Sequence, residues 1–285
     1  MKDSLFSIQK LYNSFLKLES KYDFVLEKIY KPKDFTLPTI CLRTKKKGSA
    51  LWLLAGIHGE EKAGPIAISQ NIDFLGKFGK KIPIVVFPLC NPAGYSKDWR
   101  YPNIKRSDEE GKSVGDSEYL LIDPKNPNKS RIEKPVSPET KALTLKAINL
   151  AKKYPPLLVL DLHEDEDKSG KDPYLYFLGE NGAKDSLVFE VLKILNENGF
   201  SFQMSGETSF GEKIKNGVVA NIPDGSIDEL LWSKKIILNG KVIKGPSAKK
   251  VITIETRIVG VPLQKRIKAH SAIIRSMEKF WKLNR

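Results

Sequence analysis

At 285 residues, 40% of them hydrophobic, the chain is long enough to enclose one large core, and no shift of composition divides it in two. Its 48 Lys and Arg outnumber 34 Asp and Glu for a net charge of +14, but the lysines are spread from end to end with no basic stripe interleaved with aromatics. That pattern argues against nucleic-acid binding and leaves a diffuse field able to steer acidic substrates. The 2 cysteines, Cys41 and Cys90, sit in apolar contexts and make no disulfide framework, and no run approaches the roughly 18 apolar residues of a membrane span, so a cytoplasmic protein is expected.

Residues 1–30 read as an amphipathic helical extension whose Leu5, Ile8, Leu11, Leu16 and Leu18 pack on a domain formed by residues 31–285. Charged residues interrupt each of its apolar stretches, so a signal peptide is not expected. Residues 50–57 form a short buried strand that breaks on glycine at Ile57-His58-Gly59-Glu60-Glu61, and residues 83–88 form a second strand. Residues 103–136, rich in Lys, Asp, Ser, Pro and Asn and without periodicity, read as a long loop of the kind that borders a site. A helix follows at 139–153, then a strand at 156–162 closing on His163, then an acidic run at 164–167 that reads as a solvated loop. The remaining expectations are a helix at 185–198, an irregular glycine-containing wall at 206–228, a β-branched strand ending at Glu255, and a helix over 266–274 in which His270 is a packing or surface residue. Strands alternating with helices predict a single-domain, doubly wound α/β fold with a mixed, largely parallel sheet and helices on both faces.

Of only 3 histidines in the chain, two stand at strand ends beside carboxylates. Catalytic zinc takes three protein ligands, often two imidazoles and a carboxylate, and keeps a position open for water or substrate. His58 and Glu61 supply a short pair and His163 a distant third ligand, with Glu60 competing with Glu61 for the carboxylate role. Glu255, at a third strand end, is the candidate proton acceptor for a water acidified by the metal. Three strand ends meeting at one point match the crevice where open α/β sheets bind ligands.

These residues resemble the zinc carboxypeptidase family of the carboxypeptidase A type, with its succinylglutamate desuccinylase and aspartoacylase relatives. Gly56-Ile57-His58-Gly59-Glu60-Glu61 is similar to its His-x-x-Glu zinc motif, which favours Glu61. Asn91-Pro92-Ala93-Gly94 resembles its Asn-Pro-x-Gly turn, and Ser137-Pro138-Glu139-Thr140-Lys141-Ala142 its Pro-Glu-Thr-x-Ala helix start. Asp161-Leu162-His163 resembles the third-ligand segment and Glu255-Thr256 the general-base segment, so that the likeness spans about residues 40–275. The resemblance implies a zinc-carboxypeptidase-like fold, Zn2+ on His58, Glu61 and His163, and Glu255 as general base. It makes Arg100, nine positions after Asn91, the arginine that polarises the scissile carbonyl, with Arg106 a rival at longer spacing.

The departures concern substrate. The family's carboxylate-gripping Asn-Arg pair is missing, and the nearest stretch, residues 113–118, offers Asp116 instead. No tyrosine follows Tyr176, so the family's closing tyrosine is absent, whereas Arg257, on the face of Glu255, is a replacement carboxylate clamp. The expected function is zinc-dependent hydrolysis of an amide bond in a small or cell-wall-type peptide bearing a free carboxylate. The alternative within the family is N-acyl amino acid deacylation; outside it stand a basic nucleic-acid binder and a non-catalytic binding module. Nothing in the sequence speaks to the oligomeric state.

Overall fold

A computed structural model of the chain describes residues 7–33, 35–102, 111–165 and 171–284. Its first half runs α1 (Ile8–Phe15), α2 (Lys17–Tyr22), β1 (Val25–Tyr30), β2 (Thr39–Arg43), β3 (Ala50–Ala55), α3 (Ala63–Gln70), α4 (Ile72–Gly79), β4 (Ile84–Phe87) and α5 (Pro92–Lys97). The middle holds β5 (Ile122–Asp123), β6 (Asn126–Ser130), α6 (Pro138–Ala151), β7 (Pro156–Asp165), β8 (Leu175–Gly179) and α7 (Ser186–Glu197). There follow β9 (Ser205–Glu207), β10 (Lys213–Lys215), β11 (Val218–Ala220), α8 (Ile227–Trp232), β12 (Lys235–Leu238), β13 (Lys241–Lys244), β14 (Lys250–Arg257), α9 (Leu263–Arg275) and α10 (Met277–Leu283).

Ten strands make one sheet in the order β1-β2-β4-β3-β7-β14-β8-β11-β10-β9. Its centre, β4-β3-β7-β14, is parallel, while the margins are built mostly of antiparallel pairs, with β8 and β11 parallel. Because side chains alternate across a strand, Leu51, Leu53, Leu158, Leu160, Leu162, Ile252 and Ile254 enter a core shared with α1, α3, α7 and α9. The intervening Trp52, Leu54, Val159 and Val251 enter a second core under α6 and α8. Large side chains such as Trp52 and Phe87 are wholly buried there, each contributing on the order of 1.5–3 kcal/mol of transfer free energy. The fold is the expected α/β arrangement with helices on both faces of a mixed sheet.

The structure refines several sequence expectations. The N-terminal helical segment ends at Tyr22, and the next residues add edge strand β1 instead of more helix. Leu11 and Leu18 are buried as expected, whereas Leu16 is exposed and Leu5 lies outside the described residues. Within residues 103–136, the described part contains the β5–β6 hairpin. The 206–228 region is not irregular throughout. Its Asn216-Gly217 pair, at φ 53° and 77°, makes a two-residue turn between β10 and β11, and Asn239-Gly240, at φ 51° and 71°, does the same between β12 and β13. Cys41 and Cys90 are free and buried. Among the described residues, no helix is long and apolar enough to cross a membrane.

Candidate metal centre

β7 and β14 run on through the positions read as their ends, so His163 and Glu255 are strand residues paired side by side in parallel register. Alternation sends Asp161 and His163 of β7, with Thr253 and Glu255 of β14, to the α8 side of the sheet, where they line a cleft of about 1060 Å³. The His58–Glu61 loop leaves β3 beside β7 and arrives at the same point. A Cβ on Gly59 would lie 2.2 Å from the Gly94 carbonyl carbon, so only glycine lets this loop sit against the next turn.

That next turn is the Asn-Pro-x-Gly segment. Asn91 caps α5 by accepting from Gly94 N at 2.9 Å, donates through Nδ2 to the Arg100 carbonyl at 3.1 Å, and donates its own amide to Gly56 O at 2.8 Å. The Gly59 amide also donates to the Arg100 carbonyl, at 3.2 Å. Arg100 is thereby fixed beside the histidine loop, its guanidinium donating to Glu60 at 2.8 Å and to Glu61 at 3.3 Å.

Glu61, only 2% exposed, sits between two imidazoles: Oε1 is 2.6 Å from His58 Nδ1 and Oε2 is 3.0 Å from His163 Nδ1. The donor atoms of His58, Glu61 and His163 all lie within 4.8 Å of one another, a nitrogen-oxygen-nitrogen set of the kind that holds a divalent metal. Of the two competing carboxylates, Glu61 therefore faces both histidines, while Glu60 turns to Arg100. Burial alone would raise the Glu61 carboxyl, but His58 and His163 overcome it and hold the group well below its ordinary value. Burial would likewise depress His163, yet Asp161 and Glu61 push it well above. His58, buried with Arg100 near, stays lowered despite Glu61. The Glu255 carboxyl, desolvated and opposed only in part by His163, is raised well above the usual range, and its Oε2 has no hydrogen-bond partner.

Of the substrate-side candidates, Asp116 lines the cleft, its carboxylate accepting from Ser113 N at 3.1 Å. The helix start singled out in the sequence secures this wall: Ser137 caps α6, and Thr140 Oγ1 donates to Ser113 O at 3.0 Å. Arg257 follows Glu255 on β14, its guanidinium 3.9 Å from Asp172. Arg106 lies outside the described residues.

Three residues given no role in the sequence belong to the centre. Asp161, two positions before His163 on the same strand face, lies 3.1 Å from His163 Nε2 and is 1% exposed; an Asp-x-His pair in a strand was the available signal, since period two puts both on one side. Asp228 of α8 accepts from Thr253 Oγ1 at 2.5 Å and, buried near Asp161, is raised well above its usual value. Glu164, expected in a solvated acidic loop, is a buried strand residue at 2% exposure, and Asp165 is still part of β7; residues 166 and 167 lie outside the described residues. Burial raises the Glu164 carboxyl to about 7 against the pull of Arg266. His270 is fully buried on the far side of the sheet, 3.0 Å from Thr256 Oγ1.

No protein-family model matches this sequence, and no curated protein matches it. Solved structures share its fold. A Shewanella amazonensis protein provisionally assigned as a metallopeptidase is 22% identical, with a TM-score of 0.76 over 100% of this chain and 97% of that one. Bovine thrombin-activatable fibrinolysis inhibitor, solved with a tick carboxypeptidase inhibitor, is 13% identical at a TM-score of 0.60 over 97% of each chain. Carboxypeptidase A from Helicoverpa armigera is 11% identical at 0.57, over 94% of this chain and 70% of that one. The chain has the metallo-carboxypeptidase fold.

Proposed function

We propose that the protein is a zinc-dependent amide hydrolase of the metallocarboxypeptidase type, cleaving a small or cell-wall-type peptide that bears a free carboxylate. One observation carries the reading: the donors of His58, Glu61 and His163 converge within 4.8 Å while half-buried Glu255, whose Oε2 is buried without a hydrogen-bond partner, stands in register with His163. The donor chemistry fits the metal, since two imidazoles and one carboxylate are a common catalytic zinc set. Zinc, when bound, supplies a Lewis acid for the scissile carbonyl and lowers the pKa of the attacking water.

The remaining work falls to side chains. Asp161, 3.1 Å from His163 Nε2, would fix the ring's orientation and leave Nδ1, the nitrogen beside Glu61, as the atom that would hold the metal. Glu255 takes the proton of the attacking water on its carboxylate and returns it to the leaving amine, a role suited to a carboxyl whose proton affinity desolvation has raised well above the usual carboxylate range. Arg100, braced by Glu60 and the Asn91 turn, donates to the carbonyl oxygen as it gains negative charge. Asp116, Arg106 and Arg257 are the substrate-binding candidates. The described cleft wall carries carboxylates such as Asp98, Asp172, Glu207 and Asp224 against the cations Arg100 and Lys171, so, despite the basic net charge, peptides with cationic side chains are favoured over acidic ones.

Deacylation of an N-acyl amino acid uses the same groups and is the second reading. The diffuse basic charge supports neither nucleic-acid binding nor a purely non-catalytic role, and a cytoplasmic location accords with the free cysteines. The test is a panel of short peptides and N-acyl amino acids, matched in length and bearing Lys, Ala or Glu side chains, assayed with zinc-loaded protein. Release of amino acid from peptides, fastest for the lysine set and abolished by a chelator, is the expected result. Turnover confined to N-acyl amino acids would select the second reading, and none at all would overturn the first two.

A further inference from the structure

The ligands come from two separate pieces of chain, the His58–Glu61 loop and strand β7, and something must fix one against the other to hold a metal geometry. Glu164, the residue after His163, touches the loop twice. On the cleft side its backbone amide donates to Glu61 Oε2 at 3.2 Å. On the opposite side of the sheet, where alternation sends its side chain, Glu164 Oε2 accepts from Ala63 N at 2.8 Å, at the first residue of α3 and two positions past Glu61. A carboxylate at that helix start also meets the positive end of the α3 dipole. Arg266 of α9 donates to the other oxygen, and the Thr256 hydroxyl, next to Glu255 and in register with Glu164, lies 3.5 Å from it. Arg266 is itself held at the Val261 carbonyl at 3.2 Å.

We infer that Glu164 is a positioning residue for the metal: with Arg266 it clamps the start of α3 to the far side of β7 and thereby sets Glu61 and His58 against His163. This rests on the zinc reading above. The bland alternative, a buried ion pair that serves folding alone, predicts lost stability with unchanged metal geometry.

The experiment measures zinc affinity by competition with a chromophoric chelator, and the visible spectrum of the cobalt-substituted protein, for the full chain and its Glu164→Gln and Arg266→Gln variants. Thermal unfolding of the metal-free proteins reports stability separately. Glu164→Gln keeps the size of the side chain and removes its charge. The expected result is a folded variant with zinc affinity lower by about 10–100-fold, the usual effect of removing an outer partner of a metal site, and a shifted cobalt spectrum. Arg266→Gln, whose side chain reaches the loop only through the Glu164 carboxylate, should weaken zinc in the same direction by less. Unaltered affinity and spectrum in a folded variant would overturn the inference even if stability fell. Failure of both variants to fold would assign the pair to folding and overturn it as well. Absence of zinc binding by the parent protein would instead bring down the zinc reading itself.

Discussion

His163 and His270 are both buried, one on each side of the same sheet, and their surroundings drive them in opposite directions. Burial opposes the charged form of each. His163 has Asp161 and Glu61 against its two nitrogens and is raised well above the ordinary imidazole value. His270 has the neutral Thr256 hydroxyl at 3.0 Å and the Arg266 cation nearby, and it is pushed down to about 3. Depth of burial therefore does not separate a candidate metal ligand from a packing histidine. The carboxylates around the ring do, and they come from strand neighbours two residues away and from a loop a hundred residues away.

The largest way to break this contrast is to remove one ring at a time. His163→Ala should lose most of its zinc and all measurable hydrolysis, whereas His270→Gln should keep about one zinc per chain, as three-ligand catalytic sites do. Elemental analysis of both proteins after refilling with zinc reads this directly, and equal zinc contents would remove His163 from the ligand set.

Next in size is Glu255, which stands opposite His163 as Thr256 stands opposite Glu164. Glu255→Gln keeps the shape and deletes the base, so zinc should stay while turnover falls by at least ~10²-fold. The base works only when ionised, and burial raises its pKa, so activity is present above that raised value and declines as pH drops through it. Loss of zinc in this variant would make Glu255 a ligand and require another base.

Much of this contrast was legible in the sequence, because apolar runs mark the central strands and charged residues at their ends stand out against them. The cluster of His58, Glu61 and His163, the place of Glu255 beside it and the turn at Asn91 are all visible in that way. Asp161 becomes legible only when a strand's period of two is applied to the residues before the histidine. Glu164 was lost for the opposite reason: an acidic run after a strand reads as solvent-exposed, and only the arrival of Arg266 from a helix a hundred residues later makes its burial tolerable. The role of Asp228 depends on α8 lying over β14, which no local pattern reports. The two hairpins have a local signal in their Asn-Gly pairs.

The smallest effect expected concerns His270 and acid. In the unfolded chain an imidazole takes up its proton near 6.5, but in the folded protein His270 does so only near about 3. Between those values the unfolded state binds more protons, so stability rises with pH across the window; the contribution is complete above 6.5 and is lost as pH falls toward about 3. About one and a half pH units below the unfolded value, the loss from this residue alone is on the order of 2 kcal/mol. His270→Gln has no proton to gain, and its amide can still reach the Thr256 hydroxyl, so its stability at neutral pH should change little. Urea unfolding of chelator-treated protein, at one pH above 6.5 and one in the middle of the window, separates this residue from the ligands, because Glu61, His58 and His163 titrate in both proteins and cancel in the comparison. The parent should lose the extra stability and the variant should not. Parallel losses would mean that the folded protein accommodates a charged His270, and that burial away from carboxylates does not hold the second histidine neutral.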